Sequence, residues 1–101
     1  MQRKILLAAL VAAAPLTAFA QSGDSTVARN LAASCAMCHG TEGRSAGGNE
    51  PLAGMAKDEM VRKINEFRSG AKPATVMHQL SKGYTDQQIA SIAAYFAAQR
   101  K

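Results

Sequence analysis

Cys35-Ala36-Met37-Cys38-His39 is the stretch from which the rest of this sequence takes its meaning. On a helical turn, cysteines at i and i+3 lie on one face, and the histidine follows directly. Two sulfurs side by side match the two vinyl groups along one edge of a porphyrin. The imidazole of His39 can then turn to the iron from the proximal side. C-x-x-C-H therefore reads as a covalent attachment site for haem c, with Cys35 and Cys38 forming the thioethers and His39 an axial iron ligand. Rival readings fit less well. A disulfide is open to any two cysteines in an oxidising compartment. A thioredoxin-like redox pair wants a βαβ context that this chain lacks. A zinc site from Cys35, Cys38, His39 and His78 requires adjacent Cys38 and His39 to reach one ion, at unfamiliar spacing.

Working outward, the flanking residues predict helices. No long period-two alternation appears and β-branched residues are sparse, so the fold class expected is all-α. Asp24 or Ser25 can cap a first helix, with Val27, Leu31 and Cys35 on one stripe. Gly40 closes it, and the glycine-rich loop through Gly43, Gly47, Gly48 and Pro51 excludes a regular element. A second helix is expected from about Asp58, with Met60, Ile64 and Phe67 inward, Lys63 and Glu66 outward, and Gly70 and Pro73 at its end. A short helical piece over Val76 to Leu80 precedes Gly83. Thr85 and Gln88 form a capping-box pair before Ile89, Ile92, Ala93 and Phe96. About four helices are thus expected around one haem.

The chain of 101 residues opens on Arg3 and Lys4, then an apolar run from Ile5 to Leu16, then Ala18-Phe19-Ala20. That is the pattern of a secretory signal peptide cleaved after Ala20. The run is broken by Pro15 and is shorter than the ~20 residues of a membrane span, so no stable membrane anchor is expected. Residues 21–101 then form one small periplasmic domain, of a size that ordinarily needs a cofactor, metal or disulfide to complete its core. Its aromatic side chains are only Phe67, Tyr84, Tyr95 and Phe96, and a buried haem supplies the missing apolar bulk. Loss of Arg3 and Lys4 lowers the formal charge from +5 to +3. The remaining lysines and arginines are scattered, which argues against nucleic acid; Lys57, Lys72 and Lys82 are candidates to ring a haem edge facing a protein partner.

The sixth ligand of an electron-carrying haem is commonly Met, which raises the potential. Met37 lies inside the attachment turn and cannot cross to the other face. Met60 falls on an apolar helix face, where packing suits it better. Met55 is only sixteen residues from His39, a cramped position. Met77, thirty-eight residues on and between Pro73 and Gly83, lets the chain wrap round the haem edge and is favoured. His78 is the main rival, since imidazole also binds haem iron, with a surface position as its other reading. Pro51 has two readings of equal weight. It is either a turn residue or the carbonyl that accepts the second N–H of His39.

Taken together, these residues resemble a small bacterial class I cytochrome c over nearly the whole of residues 21–101. Cys35 to Thr41 with Gly43 resembles the family's attachment region, and Pro51-Leu52-Ala53-Gly54 the loop whose proline carbonyl holds the proximal His. Ala74-Thr75-Val76-Met77 falls where the distal Met lies, and Ile89 to Phe96 resembles the final helix, which packs across the first. With Lys82-Gly83-Tyr84, the 74–77 stretch is similar to the cytochrome subunit of flavocytochrome c sulfide dehydrogenase. The resemblance implies a flavoprotein donor and another cytochrome or an oxidase as acceptor, with no catalysis by this chain alone. Some such subunits carry two haems, whereas one attachment motif is present here, and Met55 stands where Gln is common. Besides a dehydrogenase subunit, a free periplasmic carrier and a gas-binding haem protein are the classes to separate; the last requires an open distal site.

Overall fold

The computed structural model describes residues 23–101; the expected signal peptide over residues 1–20 lies outside the described residues. Helix α1 (Gly23–His39) carries the attachment motif on its last turn. It starts a residue or two ahead of the expected caps, so Asp24 and Ser25 lie within its first turn. Gly40 ends it: φ is +86°, and a Cβ there would sit 2.2 Å from the Arg44 carbonyl oxygen. Only glycine enters that conformation without strain. A 3-10 turn (Thr41–Gly43) follows, with Glu42 at φ +55°. The loop over residues 44–56 leads to α2 (Lys57–Ser69), whose first turn places Asp58 and Glu59 at the positive end of the helix dipole. Gly70 ends α2 in the left-handed conformation, its N–H bonded to the Phe67 carbonyl. Helix α3 (Met77–Lys82) is one residue displaced at its start and two at its end from the piece expected. Helix α4 (Asp86–Ala97) begins with the complete capping box of Thr85 and Gln88. Among the described residues there are four α-helices and no strand, as the all-α expectation requires.

α1 packs on α4, and α2 packs on both α3 and α4. Ala32 of α1 is buried with Ala93 and Phe96 of α4, and Met60 of α2 and Ile92 complete the cluster. Small residues at Ala32 and Ala93 let the two backbones come close, while Phe96, fully buried, fills the space beside them. The Tyr95 ring meets Phe96 edge-on at 5.2 Å. Val27, expected on the inward stripe of α1, is instead 56% exposed. The helix outruns the core at that end, so the buried face begins at Leu31 and Ala32. At the other end of α1, Gly43 (φ +79°) presses against the core, where a Cβ would lie 2.8 Å from both the Ala53 nitrogen and the Phe96 ring. The Gly43 carbonyl accepts from Leu52 and Ala53, and the Phe96 carbonyl accepts from Gly54. The 44–56 loop is thereby tied to both the 3-10 turn and α4.

Candidate functional site

A cavity of about 380 Å³ lies among the last turn of α1, the 44–56 loop, α2 and the segment leading into α3. Its lining is mostly apolar, with Leu52, Met60, Ile64, Phe67, Leu80 and Ile92 among the contributors. Cys35, Cys38 and His39 line it from α1, and Met77 from the start of α3. Both cysteines are free thiols, Cys35 half-buried and Cys38 exposed. Burial pushes the Cys35 thiol above its ordinary range, and a hydrogen bond involving Ser34 offsets part of the effect. The group therefore stays a neutral thiol at ordinary pH.

The His39 ring is fixed by one bond. Its Nδ1–H donates to the Glu50 carbonyl at 2.6 Å, which leaves Nε2 as the nitrogen with a free lone pair. The acceptor corrects the expectation for Pro51, whose carbonyl is not the partner; Pro51 is exposed and borders a separate surface hollow with Arg44, Ala53, Met55 and Lys101. The physical reason lies one residue back. A proline confines the residue before it to extended backbone, so Pro51 acts by setting the conformation of Glu50. Asn49 assists from the same loop, donating from Nδ2 to the Cys38 carbonyl at 2.8 Å. That satisfies one of the carbonyls that every helix C-terminus leaves without a partner.

Placement distinguishes Met77 from its neighbour His78. Met77 lines the cavity, whereas His78 donates from Nε2 to the Lys72 carbonyl at 2.6 Å and lies tilted beside the Phe67 ring. Met55 and Met60 also border the cavity, Met60 from the core side, and Met37 is 87% exposed. Two contributors were not legible as such. Tyr84 shares a 2.5 Å hydrogen bond with Ser34 across the cavity wall, joining α1 to the α3–α4 connection. Lys63, expected to face outward, borders the cavity with its side chain only 18% exposed, paired to Glu50 and, at 3.3 Å, to Glu59. A Glu–Lys pair at i,i+4 is readable from spacing, but the link to Glu50 depends on the loop's path.

A thiol pair, an imidazole and a thioether around one apolar cavity in an all-helical chain define a class: small haem proteins of c type. Comparison with known proteins agrees. The family model for cytochrome c matches residues 26–99. Cytochrome c4 of Pseudomonas aeruginosa is 35% identical over 97 residues, covering 94% of this chain and 48% of its own. The cytochrome subunit of sulfide dehydrogenase from Chlorobaculum tepidum is 38% identical over 66 residues, 65% of this chain and 60% of its own. Cytochrome c-553 of Helicobacter pylori is 31% identical over 88 residues, 85% of this chain and 92% of its own. The chain spans about half the length of the cytochrome c4 it matches. This chain belongs to the cytochrome c family, with the class I architecture, and the family's property is electron transfer through covalently bound haem c. The residues present suit that group. The two thiols on one helical face, the cavity's apolar lining and the His39 ring held with Nε2 free are the donor set and the environment that haem c requires.

Proposed function

We propose that this protein carries single electrons in the periplasm through one haem c, attached by Cys35 and Cys38 and ligated by His39 and Met77. When bound, the haem supplies a one-electron Fe(III)/Fe(II) couple and no substrate chemistry. The chain's residues do the rest. Cys35 and Cys38 would hold the group covalently, and His39 and Met77 would ligate its iron. The apolar lining from Leu52, Ile64 and Phe67 excludes water, and iron ligated by both His39 and Met77 would have no open position for oxygen or peroxide. The observation that carries this reading is the His39 ring, held by the Glu50 carbonyl at the edge of a cavity that Met77 also lines. Export is the matching history: residues 1–20 are removed as a signal peptide, and residues 21–101 remain as the haem domain.

The partner reading is a flavoprotein sulfide dehydrogenase, for which this chain is the electron-accepting, non-catalytic subunit, passing electrons to another cytochrome or an oxidase. The similarity to the Chlorobaculum tepidum subunit supports it, together with the Lys82-Gly83-Tyr84 sequence, of which Tyr84 lines the cavity. A second reading, a free carrier feeding an oxidase or reductase, is favoured by the match to cytochrome c-553 over 92% of that protein's length. An absorption spectrum across the size-exclusion peak of gently purified native protein separates them. Co-eluting haem and flavin bands at a size above the lone cytochrome support the subunit, and haem alone at monomer size supports the free carrier. A protein without haem overturns both.

A further inference from the structure

The Glu50 residue has two jobs in different directions. Its main-chain carbonyl accepts from His39 Nδ1–H, and its side-chain carboxylate pairs with the Lys63 ammonium on α2. The loop that carries it has Gly47 and Gly48 just upstream and no regular structure, so its position is not set by a helix or sheet of its own. Three contacts locate the carbonyl. Pro51 restricts the backbone from the C-terminal side. Asn49 is bonded to the Cys38 carbonyl from the N-terminal side. Lys63 holds the side chain between them and is itself held at 3.3 Å by Glu59, one turn earlier on α2. α2 is anchored by Met60 in the core, so Lys63 offers a fixed point and not a free surface charge.

We propose that Lys63 is a positioning residue for the proximal ligand: by clamping the Glu50 side chain to α2, it fixes the carbonyl that orients His39 and sets how strongly His39 Nδ1–H is bonded. The inference rests on His39 being the iron ligand, as proposed above. A ligating histidine's outer hydrogen bond governs its ring orientation and raises its basicity. A tighter bond makes the imidazole a stronger donor, which favours Fe(III) and lowers the potential. A looser loop does the reverse. The ammonium is bound as such a role requires: its bond to Glu50 holds Lys63 above the usual lysine range, burial opposes this, and Glu59 adds to it.

The test uses the haem-loaded protein in four forms: wild type, Lys63→Met, Glu50→Gln and the double variant. Glu50→Gln keeps the main-chain carbonyl, so any effect on His39 travels through position. The double variant removes one positive and one negative charge, so the net charge near the iron is unchanged. Two readouts apply: exchange of the His39 Nδ1–H proton by NMR of the reduced, diamagnetic protein, and the midpoint potential. In the double variant, exchange should be faster by roughly two- to fivefold, the amount that loss of a partly exposed ion pair gives, and the potential should shift upward. Each single variant should speed exchange as much as the double, because either one opens the clamp. Wild-type exchange and potential in the double variant overturn the inference while leaving His39 as ligand. A wild type with no iron-bound His39 ring signals overturns the ligand reading and this inference together.

Discussion

At the scale of single residues, the site turns on which neighbour faces the cavity. Met77 and His78 are adjacent and both able to bind iron, but His78 gives its Nε2–H to Lys72 while Met77 lines the cavity. Met77→Ala should therefore lower the midpoint potential by on the order of 100 mV, a modest part of the ~0.8 V that axial ligands span. It should also let the reduced form bind carbon monoxide. His78→Ala should change neither, and redox titration with a carbon monoxide difference spectrum checks both. Spacing alone names Cys35, Cys38 and His39 as candidates, because they fall within five consecutive residues, and all three line the one cavity. Spacing failed by one residue at Pro51. A proline's effect on the backbone is felt by the residue before it, and only the folded loop reveals that Glu50 presents the carbonyl.

At the scale of elements, ends that are set by local chemistry were legible and ends set by packing were not. The Thr85–Gln88 box and the Gly70 stop are written in their own side chains, and both stand where spacing placed them. The outward assignment of Lys63 failed because helix periodicity treats every charged residue as solvated, and a loop from elsewhere in the chain covers this one. The box permits a quantitative expectation. Thr85→Ala removes the oxygen that accepts from Gln88 N–H at 3.1 Å and should cost about 1 kcal/mol. Urea denaturation should record a lower midpoint with an unchanged slope. Because α4 contributes Ile89 and Ile92 to the cavity wall, the absorbance change that reports loss of iron ligation by Met77 and the loss of helix ellipticity should fall in one coincident transition.

At the scale of the whole molecule, the haem site and the core share walls. Phe96 is fully buried, touches the Gly43 region, and offers its carbonyl to Gly54. Phe96→Ala opens a cavity at the junction of α1, α4 and the loop, and should destabilise by about 3–5 kcal/mol. For a domain of this size that is a large share of all the stability available. Calorimetry of the haem-loaded protein should register a much lower melting temperature, and Phe96→Leu a smaller drop. This all-helical architecture could be read from period and composition, whereas the cavity could not, since its walls come from segments far apart in sequence.

That arrangement also has a temporal side. Ala32, three residues before the attachment motif, meets its core partners Ala93 and Phe96 only across nearly the whole described chain. Bringing such distant segments together carries the full entropic cost of closing the intervening loop and slows folding relative to purely local contacts. Until residues 86–97 are in place, the part of the cavity wall that Ile89 and Ile92 supply is missing. The cavity wall is therefore completed by slow, non-local contacts and not by the helix that carries the motif.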